Sequence, residues 1–323
     1  MEYILFTLGI IGGIIGLVWS ADRFVLGAST TARNLGVSTL IIGLTIVSFG
    51  TSAPEIMTSA TAALRGFPEL AIGNVLGSNI ANIGFVLGIT ALVCPIIIPA
   101  SVLKEELPVL LIVTFAALFI FMDLYLNWID GVILLVLLAA FTIFVLKIKT
   151  SLSESDTQLT EDEEVSEFIA DISTAKSLGL MFFGLILLLI SANALVYGAT
   201  GIARALGVSE LIIGLTVVAI GTSLPELAAS ITSVLKGHHD IAIGNIVGSN
   251  ILNLLLVLPV PAFLAPLEID AIVFWRDGGV MLAMTLILSA FIIIKIKSGQ
   301  TFGRFFGAVL ILLYLSYTAF LFV

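Results

Sequence analysis

Charge is what this sequence has least of. Lys, Arg, Asp and Glu make up 11% of its 323 residues, against roughly a quarter in a soluble domain. Hydrophobic residues make up 59%, and the mean hydropathy is +1.22. So little polar material cannot cover a water-exposed globule, and the chain reads as a polytopic membrane protein. Cysteine occurs once, at Cys94, which excludes a disulfide framework and a cysteine-based metal site. The two histidines, His238 and His239, sit side by side in an expected loop and leave no cluster for a soft metal. No HExxH and no GxxxxGK[ST] occurs, which argues against a zinc protease and an ATP-driven pump. Short alternating segments are missing, against a β-barrel. The first residues lack the positive charge of a cleaved leader and read as a retained first helix.

The net charge of −9 is concentrated in one place. Between Ser151 and Ala175 lie Glu154, Asp156, Glu161, Asp162, Glu163, Glu164, Glu167 and Asp171, with no Lys or Arg. Without these the chain is close to neutral. The run reads as a solvated linker, and nothing in it points to nucleic acid or nucleotide.

Long apolar runs fill the rest, each long enough to cross a hydrocarbon core of roughly 30 Å as a helix. The expected spans are 3–33, 38–64, 70–94, 107–123, 128–147, 177–204, 209–235, 241–264, 275–295 and 302–322. An internal repeat relates them. SADRFVLGASTTARNLGVSTLIIGLTIVSFGTSAPE at 20–55 matches SANALVYGATGIARALGVSELIIGLTVVAIGTSLPE at 191–226, with 23 of 36 positions identical. The same offset of 171 lays ELAIGNVLGSNIANI at 69–83 onto DIAIGNIVGSNILNL at 240–254. The expected organisation is a first five-helix repeat at 1–147, an acidic loop at 148–175 and a second repeat at 176–323. Five is odd, so the halves cross the membrane in opposite senses, as in many secondary transporters. With the N-terminus outside, ten of the 13 Lys and Arg fall on the inner side, in keeping with the positive-inside rule. The expected fold is therefore all-α, with both termini outside the inner (plasma) membrane, a cytoplasmic acidic loop and the lipid bilayer as a partner.

Two acids fall near the middle of apolar spans, Glu55 in GTSAPE and Glu226 in GTSLPE. A charge at the bilayer centre costs at least about 2.5–3.5 kcal/mol on insertion scales. Asp22 is a third candidate, read as a structural neighbour of Arg23, because its repeat partner is Asn193. The bland reading of Ser52-x-x-Glu55 and Ser223-x-x-Glu226 is a capping box, with Pro54 or Pro225 opening a half-helix. That reading leaves the prolines unexplained. Each removes an N–H and frees carbonyls upstream, and freed carbonyls inside a membrane are tolerated where they line a cavity. Thr51, Ser52, Thr222 and Ser223 then present hydroxyl and carbonyl oxygens beside a carboxylate. In the second motif Asn74, Ser78 and Asn82 recur along one helix side, as do Asn245, Ser249 and Asn253. The competing reading there is small-residue packing through Gly73-x-x-x-Gly77 and Gly244-x-x-x-Gly248. Hard oxygens and two negative charges describe a cation site, and Ca²⁺ takes six to eight such ligands.

At GTSxPE and GNxxGSNxxN, each present twice, the chain resembles the cation/calcium exchanger superfamily, most closely its prokaryotic sodium/calcium exchanger branch. The resemblance covers essentially the whole chain. It implies a non-enzymatic antiporter, without a cofactor, that moves Ca²⁺ against Na⁺ by exposing a midplane site to either side in turn. Carried over, Glu55 and Glu226 are ligands shared by both ions, joined at the calcium position by the carbonyls of Thr51 and Thr222. Ser52, Ser78 and the Ser48 carbonyl form one sodium position. Thr222, Ser223, Ser249 and the Ala219 carbonyl form its mate, and Asn82 and Asn253 face the centre. Potassium-dependent relatives carry Asp where Asn253 stands, which argues against potassium co-transport. Cation/proton exchangers carry a G-N-x-x-E core instead of GTSxPE, leaving Ca²⁺/H⁺ antiport as the nearest alternative and a channel as a further one.

Overall fold

In a computed structural model the chain is described at residues 2–153, 172–207, 217, 219–298 and 301–321. The described residues are mostly helical, and the apolar runs become long helices. These are α1 (Glu2–Leu35), α2 (Thr39–Leu64), α3 (Pro68–Val93), α4 (Val102–Asp123), α5 (Trp128–Val145), α6 (Thr174–Ala205), α7 (Leu224–Leu235), α8 (His239–Leu264), α9 (Val273–Ile294) and α10 (Arg304–Phe320). Among the described residues eight are long and apolar enough to cross a membrane, and α7 and α10 are shorter apolar helices. Most of the first part of the expected seventh span, 209–216 and 218, lies outside the described residues, as does 154–171 of the expected acidic loop. The edges of that loop are helical: the helix containing α5 runs on to Ser153 and α6 opens at Thr174.

The burial of these helices divides centre from periphery. The apolar window of α8 is 94% buried, whereas that of α1 is 22% buried. Tyr3, Ile4, Leu8, Ile11, Ile15 and Val18 of α1 are exposed, as expected of a helix that meets lipid. Its other side packs along α6 on glycine. A Cβ at Gly13 would stand 2.7 Å from the Leu195 Cβ, and one at Gly184 would stand 2.8 Å from the Phe24 Cα. Gly244 and Gly248 do the same for α8 against α2: added Cβ atoms would meet the carbonyl oxygens of Leu40 at 2.8 Å and Leu44 at 2.7 Å. The small-residue reading of that motif therefore holds in the second half, alongside whatever its polar residues do.

Two short backbone pairings lace the halves together. Tyr125–Leu126, between α4 and α5, pairs antiparallel with Leu267–Glu268, between α8 and α9. Ile96, between α3 and α4, bridges to Phe302, between α9 and α10. Ile96 and Leu267 are repeat partners at the offset of 171. The α3–α4 loop thus lies at the end of the bundle where α10 begins, while the α8–α9 loop lies where α5 begins. Helices α3 and α8 consequently end at opposite ends of the bundle.

Candidate functional site

The break in α2 and the start of α7 are built alike. Ser52 has φ −81° and ψ 7°, and Ser223 has φ −85° and ψ 3°. Each precedes a helix with proline in its first turn and glutamate just behind. Neither serine makes the side-chain cap that the S-x-x-E spacing predicts. The Ser52 hydroxyl instead donates to Glu226 Oε1 of the other half, 3.2 Å away. That overturns the capping-box reading and places the second half's carboxylate at the first half's break. The Thr222 side chain in turn faces Glu55, and the two carboxylates lie within electrostatic reach of each other.

Both glutamates are fully buried, together with Ser48, Thr51, Ser52, Ser223, Asn82, Ser249 and Asn253. Thr222 and Ser78 are nearly so. A buried polar atom left unpaired costs about 1–3 kcal/mol, and such atoms gather here. Both Glu55 carboxylate oxygens, Glu226 Oε2, Asn82 Oδ1, Asn253 Oδ1 and the hydroxyls of Ser223 and Ser249 have no hydrogen-bond partner among the described residues. Positively charged side chains are absent from the hydrogen-bond and ion-pair partners of either glutamate among the described residues. A set of hard oxygens with net negative charge fits Ca²⁺ or Na⁺ as cargo.

Asparagines hold this set in place. Asn74 Nδ2 donates to the Glu55 carbonyl at 3.2 Å and to Ser59 Oγ at 3.0 Å. Asn245 Nδ2 repeats this with the Glu226 carbonyl at 3.3 Å and Ser230 Oγ at 3.0 Å. Asn245 also accepts the Thr51 hydroxyl at 3.0 Å, tying α8 to α2. Asn82 and Asn253 each open a wide π-helical turn, Asn82–Leu87 and Asn253–Val257, a distortion that often marks functional sites. Asn82 Nδ2 donates to Asn250 Oδ1 at 3.1 Å. Asn250 of α8 therefore reaches a site residue of the other half.

Two further expected ligands are backbone carbonyls. The Ser48 carbonyl accepts the Ser52 N–H at 3.0 Å, so it already serves the helix. Ala219 opens the short helix Ala219–Thr222 just ahead of the Ser223 break. Beside the carboxylates, a cavity of about 240 Å³ is lined by residues that include Pro54, Met57, Thr58, Asn193, Val196 and Thr222.

The sequence reading missed three things. Asp22 lies 2.7 Å from Lys236 Nζ, whereas its neighbour Arg23 stands at 4.0 Å; Arg23 lies instead over the Trp19 ring. Glu106 and Asp277 are buried as well, and the offset of 171 relates them. Asp277 is matched by Arg276 at 2.8 Å and by the Tyr317 hydroxyl at 3.0 Å. The histidine pair, expected in a loop, is half-buried with His239 opening α8, and next to it Asp240 accepts the Thr39 hydroxyl.

Comparison with known proteins converges on one family. The family model described as sodium/calcium exchanger protein matches residues 5–147 and 176–323. The chain is 44% identical to CaxA of Alkalimonas amylolytica, an antiporter by name, over 98% of each. It is 41% identical to the inner membrane protein YrbG of Escherichia coli over 88% of each. It is 30% identical to the sodium/calcium exchanger MaX1 of Methanosarcina acetivorans over 96% of each. The solved structure of the sodium-calcium exchanger NCX_Mj soaked without Na⁺ and Ca²⁺ superposes with a TM-score of 0.81, at 36% identity and 98% coverage of both chains. This multi-pass membrane chain belongs to the sodium/calcium exchanger protein family.

Proposed function

We propose that the protein is a secondary antiporter that exchanges Ca²⁺ for Na⁺ at a site between its two halves. The carrying observation is that Glu55 and Glu226, related by the repeat, are both fully buried while carboxylate oxygens of each lack a partner among the described residues. Two like charges in a poor solvent are costly. One Ca²⁺, or a set of Na⁺ ions, neutralises them, so either cargo favours the closed state needed for alternation and an empty site resists it. That competition couples the two fluxes.

In this reading Glu55 and Glu226 bind both ions, with the Thr51 and Thr222 carbonyls at the calcium position. Ser52, Ser78 and the Ser48 carbonyl hold one sodium ion. Ser223, Ser249, Thr222 and the Ala219 carbonyl hold its mate, and Asn82 and Asn253 face the centre. The chain needs no cofactor and catalyses no covalent step. It has ten spans in inverted repeats at 1–147 and 176–323, both termini outside the inner membrane and the acidic loop in the cytoplasm. Support for the sodium coupling comes from the names of MaX1 and NCX_Mj and from the hydroxyls grouped around each carboxylate.

Ca²⁺ uptake into proteoliposomes loaded with Na⁺, Li⁺, K⁺ or a proton gradient tests the proposal. Uptake driven by internal Na⁺ is expected. Uptake that persists with a pH gradient and no Na⁺ would replace it with Ca²⁺/H⁺ antiport, and flux without any counter-ion would indicate a channel.

A further inference from the structure

The two halves are alike at the carboxylates but not beside them. On the side of the bundle where Arg65 ends α2, the 240 Å³ cavity approaches Pro54 and Thr222, and Asn193 on α6 lines it. A second cavity next to it, of about 350 Å³, shares Met57 and Thr58 and extends to Arg65. The repeat counterparts of the lining residues Asn193, Val196 and Thr58 are Asp22, Val25 and Ala229. Val25 and Ala229 are fully buried. Beside them, Asp22 on α1 is bridged to Lys236, which ends α7, at 2.7 Å.

We propose that the Asp22–Lys236 ion pair is a one-sided latch that holds shut the access path at the Lys236 end. Three observations carry this. The pair joins α1, which packs along α6 on glycine, to the half-helix whose first turn holds Glu226. Lys236 lies ten residues beyond that glutamate, about 15 Å along the helix axis. A shift of α1 along α7 thus breaks the pair and moves packing near the site together. The other half has no such pair: the counterparts are Asn193 and Arg65, and the Asn193 amide donates to the Leu189 carbonyl of its own helix at 2.9 Å. The pair also sits on the closed side, with the cavity on the other. Alternation therefore starts from unequal states, with the Arg65-side opening favoured. Arg23 does not take over the role, being held over the Trp19 ring 5.2 Å from its centroid.

The inference rests on alternating access, and labelling tests it without requiring any exchange. On a Cys94→Ser background, Asn193→Cys reports the open side and Ala229→Cys the closed side, each read with a membrane-impermeant maleimide in proteoliposomes. Asp22→Asn and Lys236→Gln are expected to raise labelling at residue 229 about fivefold and lower it at residue 193, the shift that roughly 1 kcal/mol makes in a two-state ratio. Lys236→Arg keeps the charge and is expected to label like the parent. The latch is overturned if both neutral variants, still monodisperse by size exclusion, leave the two rates unchanged. It is equally overturned if Lys236→Arg shifts them as far as Lys236→Gln. Absence of Na⁺-driven Ca²⁺ uptake alongside the expected labelling would overturn the proposed cargo and leave the latch standing.

Discussion

Ser52 and Glu226 belong to different halves of the chain, yet the serine hydroxyl donates to the carboxylate across 3.2 Å. A residue spaced to seal its own helix serves the opposite helix instead. Each half therefore completes the other's charge, and the site exists only where they meet.

Removing that donor tests the relationship. Ser52 is placed at a sodium position, and a contact to a charged group contributes about 1.5–3 kcal/mol, so Ser52→Ala should weaken apparent Na⁺ affinity about tenfold or more. Ser52→Thr keeps the hydroxyl and should retain most of it. Isothermal titration of both variants decides the matter: equal affinities for the alanine variant and the parent would leave the bond without a part in binding.

Glu55→Gln and Glu226→Gln should each abolish Na⁺-driven Ca²⁺ uptake while leaving the protein folded. Each substitution removes a buried charge, so cation-free thermal unfolding in detergent should occur no lower than in the parent. The parent alone should gain melting temperature on adding Ca²⁺, since a ligand stabilises the state it binds. A glutamine variant that still gains it would mean that the carboxylate is not a ligand.

Asn245 binds three groups at once: the Glu226 carbonyl, Ser230 and Thr51. Asn245→Ala removes all three bonds from the interior, a loss of about 1–3 kcal/mol. Both a lower melting temperature and a raised KM for Ca²⁺ are expected. A melting change with KM untouched would confine Asn245 to the fold.

Acid should inhibit. On the proposed ligand assignment protons compete with Ca²⁺ for Glu55 and Glu226, so the KM for Ca²⁺ should rise as pH falls, and saturating Ca²⁺ should restore the rate. Inhibition that extra Ca²⁺ cannot relieve would put the titrating group elsewhere.

Much of the architecture is legible from two signals, the run of apolar residues and the offset of 171. Helix bounds read from them agree with the observed ones to within a few residues at α2, α3, α8 and α9, because hydrophobic length leaves little choice inside a membrane. The glutamates announced themselves by charge in an apolar run. Partner choice was not legible. S-x-x-E spacing specifies a local cap equally well, and only the packing of α2 against α8 turns Ser52 toward the other half. The nearer partner of Asp22 was hidden for a related reason. Arg23 is its neighbour in sequence, but successive residues on a helix point in different directions, while Lys236 arrives from a distant helix. Glu106 and Asp277 sat at the edges of apolar runs, where composition does not separate burial from an interface.

The strand pairings of Ile96 with Phe302 and of Leu126 with Leu267 have a bearing on biogenesis. Residues 125–126 emerge from the ribosome long before 267–268, so the first half must wait in the bilayer with its edges unclaimed. During that wait Glu55 lacks α8, which later packs against the half-helix that carries it. Severing the gene within the acidic segment should give two fragments that survive only when made together, each acting as chaperone for the other.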